Sequence, residues 1–259
     1  MSLDEGQTEA ANHKLSALRA FAQDLMNVGI EISGQSNVEV GDKWARDPKV
    51  IALALLCRTL GHLKGATSLL EQRLLVEASV IVRCCVENLI CVGALRQKGD
   101  DFVVELLHAV SAGSRKLANL ALEALSGGEP SETVIRLEEI VRSQKKTASQ
   151  AKPLNTKALS KGNPVGSSYI LFSVLSEQAA HVSARSLGRH LEQQQERGNR
   201  FIHLEIAPTP TDEQLQGSLL DLLRTVLGVV VGVNEILGGT EPGNRLTILA
   251  CEFEVIAQK

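Results

Sequence analysis

LLVEASVIVRCCVENLICVGAL, residues 74–95, decides the fold. Read as a helix it is apolar around nearly its whole circumference, yet Arg83 and Glu87 stand one turn apart in its middle. At about 100° per residue, Ser79, Arg83 and Glu87 make one narrow stripe, and the remaining faces carry Leu, Val, Ile, Cys and Ala. A helix apolar all round lies inside a protein, and a charge inside must be paired or put to use. The stripe is therefore either a structural ion pair or one wall of a site.

The neighbouring segments read as helices too. Leu15, Leu18, Phe21, Ala22, Leu25 and Met26 recur at three- and four-residue steps, which predicts a first helix from Thr8 to Ile32, followed by a loop from Gly34 to Gly41. Asp47-Pro48 joins an N-cap to a first-turn proline and starts a helix running to Leu70, antiparallel to one over Leu75–Gln97. A further helix, capped by Asp100 or Asp101, reaches Leu125. A turn at residues 126–130 then precedes a helix from Ser131 to Ser149. Residues 142–161 hold six Lys or Arg and no acid, and read as a solvated linker with an anion-binding arm as the alternative. Ser167 or Ser168 opens a long amphipathic segment to Glu196, bent near His181. Phe201–Ile206 reads as a short extended piece. Thr211-Asp212-Glu213-Gln214 fits a capping box for a helix to Leu237, stopped by Gly238-Gly239. The segment Leu246–Ala257 is ambiguous between helix and strand. The expectation is an all-α, single-domain bundle of seven or eight helices. An N-terminal helix and loop (1–46) pack on a core (47–239), and a tail (240–259) follows.

Composition removes several classes. With five Phe, one Tyr and one Trp, the core must come from Leu, Val, Ile and Ala. The net charge of −3 gives no overall footprint for nucleic acid. Leu74–Leu95 carries Glu77, Arg83 and Glu87, and Leu219–Leu237 carries Asp221, Arg224 and Glu235, so neither reads as a membrane span. Cys57, Cys84, Cys85, Cys91 and Cys251 form no C-x-x-C pair and sit in apolar runs. They read as buried free thiols, with no zinc site. No secretion signal opens the sequence, and the expected compartment is the cytoplasm. Phosphate-loop, dinucleotide, H-E-x-x-H and G-x-S-x-G signatures are absent, and no cofactor or metal is expected.

A second polar constellation begins at Tyr169. On a continuous helix, Tyr169, Ser173, Ser176, Ala180 and Ser183 share a face, while Glu177, His181 and Arg185 follow at four-residue steps on a neighbouring stripe. That spacing lets a carboxylate orient an imidazole and an arginine bind an anion beside it; the alternative is an exposed face with ordinary pairs. His13, His62, His108 and His203 read as structural or solvated, and Trp44 as an anchor for the first helix.

Together, Tyr169 to Leu187 and Gly65 to Leu95, with Glu77-Ala78, Arg83 and Glu87, resemble an uncharacterised, mainly bacterial helical family, a domain of unknown function. That family has an R-x-x-x-E helix and a later Tyr…Ser…His-x-Ser segment. This chain departs from its pattern at Val182, where Pro is usual, and in placing four residues rather than three between Ser176 and His181. The resemblance implies that Arg83, Glu87 and His181 belong to one polar cluster between packed helices, and brings no activity with it. Arg185 and His190 are similar to the arginine–histidine pair of HEPN-type helical ribonucleases. In those enzymes the His serves acid–base chemistry and the Arg steadies phosphate, usually across a dimer.

Three readings follow. The first is a ligand- or partner-binding domain with Arg83, Glu87, Tyr169, Glu177 and His181 as its polar cluster. The second is a metal-independent ribonuclease acting through Arg185 and His190, with a homodimer as one expected assembly. The third is an interaction protein whose buried ion pair is purely structural.

Overall fold

The computed structural model describes residues 3–35, 38, 42–125, 131–147, 152–196, 199–206 and 208–258. Among them lie ten α-helices and one two-stranded hairpin, so the molecule is all-α in its architecture. The helices are α1 (Leu3–Gln35), α2 (Pro48–Glu71), α3 (Leu75–Lys98), α4 (Asp100–Ala124), α5 (Glu132–Thr147), α6 (Thr156–Ser160), α7 (Ser168–Leu175), α8 (Ala184–Gly188), α9 (Asp212–Ile236) and α10 (Leu246–Gln258). Two of these, α6 and α8, are five-residue pieces; the other eight match the expected number. The expected turn at 126–130 and most of the expected Gly34–Gly41 loop lie outside the described residues, as do residues 148–151 of the basic connection.

The helix α3 is the centre of the molecule, packed against α2, α7 and α9. Its Val82, Val86, Leu89, Ile90 and Val92 meet Leu56 and Leu63 of α2 and Leu222, Leu223, Val226 and Val230 of α9 in one apolar core. The first helix adds Leu18, Leu25 and Val28, and reaches α10 through Phe21 and Phe253, whose ring centroids are 5.3 Å apart. By length and composition α2 and α3 could each cross a membrane, but 67% of the most apolar stretch of α3 is buried within the fold.

Local chemistry sets the helix ends. Asp47 accepts a hydrogen bond from the Lys49 N–H at 2.8 Å with Pro48 in the first turn. Thr211 and Gln214 close a reciprocal capping box at the start of α9, satisfying two N–H groups that the helix leaves unpaired. Gly238 and Gly239, at φ 90° and 88°, end it as expected. The ambiguous C-terminal segment is the helix α10.

Three expectations are corrected. The long segment from Ser168 to Glu196 is not one bent helix: α7 gives way to a π turn at Ser176–Ala180, an extended His181, the short α8, and the strand β1 (Leu191–Glu196). The cause is local competition. Ser183 caps α8 through a reciprocal bond with Ser186, and its hydroxyl donates to the Glu177 carbonyl, which prevents helix from running through. Strand β1 then pairs antiparallel with β2 (Asn199–Leu204), Leu191 opposite Leu204 and Gln193 opposite Ile202. Trp44 is no anchor, being 76% exposed in a single 3-10 turn.

Nor are all five thiols buried: Cys57 and Cys251 are exposed, Cys84 is half-buried, and only Cys85 and Cys91 are enclosed. Burial pushes the last two thiols up to about 12, with Cys84 and Glu87 respectively adding to the effect. Because the thiolate is the reactive form, thiol titration of the folded protein at about pH 8 is expected to find Cys57 and Cys251 fast. Cys85 and Cys91 should be silent until denaturant exposes all five. Rapid reaction of four or more groups in the native protein would contradict this packing.

Candidate functional site

The polar stripe on α3 is where α7 sits. The Nε of Arg83 donates to the Ser176 Oγ at 2.7 Å, and its guanidinium lies 4.3 Å from the centroid of the Phe172 ring. Glu87 stands 4.0 Å from the Arg83 NH1, a loose ion pair with both side chains partly exposed. Tyr169, one turn before Phe172, stacks on it with ring centroids 5.8 Å apart and planes inclined by 23°. Arg83 thus holds α7 by a charged hydrogen bond and a cation–π contact, each worth about 1–2 kcal/mol. Ser79 turns its hydroxyl back to the Leu75 carbonyl.

His181 and Glu177 take no part in this clamp. Both are exposed, and among the described residues Arg83 and Glu87 make no hydrogen bond or ion pair with either. The partner across the helix interface is Ser176 rather than His181. The reason lies in the π turn, where the His181 N–H bonds the Ser176 carbonyl, five residues back, at 3.1 Å. A π turn takes up one extra residue. From Ser176 onward the helical phase therefore shifts, and His181 is carried off the face that Ser176 presents to Arg83. The four-residue stripe Glu177–His181–Arg185 then does not exist, because the helix that would carry it ends.

Arg185 and His190 nevertheless open onto one cleft. Both line a cleft of about 950 Å³ walled by the start of α3, α8, the residues after β2, and the first half of α9. The Nδ1 of His190 lies 2.8 Å from the Glu205 carbonyl oxygen. A carbonyl can only accept, so this contact places a proton on Nδ1, and in the neutral imidazole the lone pair is then on Nε2. Arg185 is exposed in the cleft and forms no ion pair among the described residues.

Three further residues enter the cleft that spacing alone did not single out. Arg189 donates from NH2 to the Gln178 carbonyl, and its Nε is buried with no partner among the described residues. Arg73 caps α2 in a left-handed conformation at φ 60°, where glycine is usual. Its guanidinium crosses to α9, bonding Asp212 at 2.8 Å and the Pro210 carbonyl at 2.5 Å. Asp221, on α9, is mostly withdrawn from water; burial raises its carboxyl above the ordinary aspartate range, against an opposing pull from Arg224. Arg189 had a signal in its position beside His190. Arg73 and Asp221 had none, since each reaches the cleft only through helix packing. Among the described residues no three His, Cys, Asp or Glu side chains gather as a metal site.

Comparison with known proteins adds one finding. No curated protein and no solved structure matches the chain. The profile of DUF5677, a family of unknown function, matches residues 49–199, a span that runs from α2 into the hairpin and includes Arg83, Glu87, Tyr169, Ser176, His181, Arg185 and His190. That span is more than half of the sequence, and the protein therefore belongs to the DUF5677 family.

Proposed function

We propose that this protein is a cytoplasmic ligand-binding domain whose cleft takes a phosphate-bearing ligand. The observation that carries the reading is the convergence of Arg185, Arg189 and His190 on one cleft, with Arg185 free of any carboxylate partner among the described residues. A planar guanidinium left unpaired in the same cleft as an imidazole suits an anion that accepts paired hydrogen bonds. Titration calorimetry with pyrophosphate tests this. Arg185→Gln should weaken binding about tenfold, the size of one charged hydrogen bond. Absence of binding at millimolar concentration, or parental affinity in both Arg185→Gln and Arg189→Gln, would sink the proposal.

A second reading is favoured by the His190 geometry. With Nδ1 held by the Glu205 carbonyl, Nε2 is suited to take the proton of a ribose 2′-hydroxyl as its oxygen attacks the adjacent phosphorus. Arg185 would steady the extra charge on phosphorus. The departing 5′-oxygen would take a proton from water in the cleft, leaving a cyclic phosphate. This is the metal-independent ribonuclease chemistry that the likeness to HEPN-type proteins implies. Mixed RNA incubated with the parent protein and with His190→Ala should be cut only by the parent. Equal lack of cleavage at high protein concentration removes this reading and leaves the binding reading intact.

A further inference from the structure

A second cavity, of about 540 Å³, opens at the other end of α7. Tyr169 and Phe172 form its aromatic side, and Lys152 and Lys157 stand at its edge. Both rings are half-buried, packed on the core from below, so each is fixed while part of its surface faces the cavity. Both lysines are exposed and form no ion pair among the described residues. Asn155, also in the wall, spends its side-chain oxygen on the Ala158 N–H at 3.0 Å and is committed to capping α6. The recognising groups are therefore two stacked rings and two free ammonium groups.

A fixed aromatic face beside exposed cations fits a ligand with a planar ring and a phosphate, and stacking of this kind accepts any base. The placement joins this cavity to the cleft. Tyr169 lies in the first turn of α7 and Leu175, which lines the cleft, ends it, six residues or about 9 Å along the helix. Arg83 lies between them, its guanidinium on Phe172. Basic and aromatic side chains thus occur at both ends of α7: Lys152, Lys157, Tyr169 and Phe172 at the cavity, Arg83 on the Phe172 ring, and Arg185 and Arg189 in the cleft, where Glu77 and Asp221 stand with them.

We infer that Tyr169 and Phe172, with Lys152 and Lys157, form a base-stacking subsite for one nucleotide of a single-stranded nucleic acid whose backbone continues into the cleft. The inference rests on the reading of the cleft as a phosphate site, and names the class of its ligand.

The chain supplies its own reporter. It holds one Trp and one Tyr, and Trp44 is exposed, so Trp44→Phe leaves Tyr169 as the single strong ultraviolet emitter without disturbing the core. In that background a short oligouridylate should quench Tyr169 emission saturably, and inorganic phosphate should not. In the parent protein, Tyr169→Leu should weaken oligouridylate binding about tenfold, while Tyr169→Phe, which keeps the ring, should bind as the parent does. The pair Lys152→Gln and Lys157→Gln should flatten the dependence of affinity on salt. Absence of saturable quenching, or parental affinity in Tyr169→Leu, overturns the subsite. Uridine monophosphate binding as tightly as the oligonucleotide overturns the single-stranded ligand in favour of a free nucleotide. Failure of the subsite is separable from failure of the cleft. Parental affinity in Tyr169→Leu with weakened pyrophosphate binding in Arg185→Gln removes only the former; quenching by oligouridylate without any pyrophosphate binding removes only the latter.

Discussion

Gly232→Val is expected to lower the stability of the protein by about 3 kcal/mol, at the upper end of what overpacking a core costs. A Cβ at position 232 would lie 2.6 Å from Cγ1 of Val92, closer than carbon atoms approach in folded proteins. Val92 is buried in the middle of α3, and a β-branched side chain in a helix has one strongly preferred rotamer, so it cannot turn aside. The gain in helix propensity from losing a glycine is below about 1 kcal/mol and does not offset the clash. One turn earlier, a Cβ at Gly228 would lie 2.9 Å from the tip of Leu89, an unbranched-at-Cβ side chain that can swing, so Gly228→Ala should be the milder change. In thermal unfolding, Gly232→Val should lower Tm by roughly 6–12 °C. An unchanged Tm would mean that α3 and α9 do not pack at this distance.

Asn163→Ala is expected to cost about 2–3 kcal/mol and to loosen α7 together with the aromatic subsite it carries. The Asn163 amide is buried. Its Nδ2 donates to the Ile90 carbonyl of α3 at 3.2 Å, and its Oδ1 accepts from the Val165 N–H at 3.1 Å, which ties the segment before α7 to the central helix. The amide lies over Gly93, where a Cβ would come within 2.3 Å of Oδ1. Gly93→Ala should therefore also destabilise, by expelling the amide. The double variant should be more stable than the sum of the two losses predicts, because the new methyl fills the space the amide vacates. Urea unfolding gives the three stabilities, and hydrogen exchange over Ser168–Leu175 should quicken in Asn163→Ala. Strict additivity, or unchanged exchange, would separate Asn163 from the positioning of α7.

How far the site was legible follows from which interactions are local. That Arg185 and His190 lie close together along the chain could be read from spacing, since α8 and its end hold the two within one short stretch. The proposed partnership of Arg83 with His181 could not survive, because a helical phase counted through residues 176–183 ignores the π turn and the Ser183 cap that break it. Strand β1 hid for a related reason: Leu191–Glu196 is mostly polar, with no alternation to announce it, and exists through pairing with Asn199–Leu204.

By itself the sequence determined the all-helical class, the starts of α2 and α9, and the central place of α3. These rest on caps, on 3.6-residue periodicity and on the cost of exposing an apolar helix, all of which act within a few residues. Only the tertiary structure decided what the charges of α3 are for. It laid α7 over Arg83 and drew Arg73, Arg185, Arg189, His190 and Asp221 from three separate segments into one cleft. Burial, pairing and convergence are relations between helices far apart in the chain, and packing alone sets them.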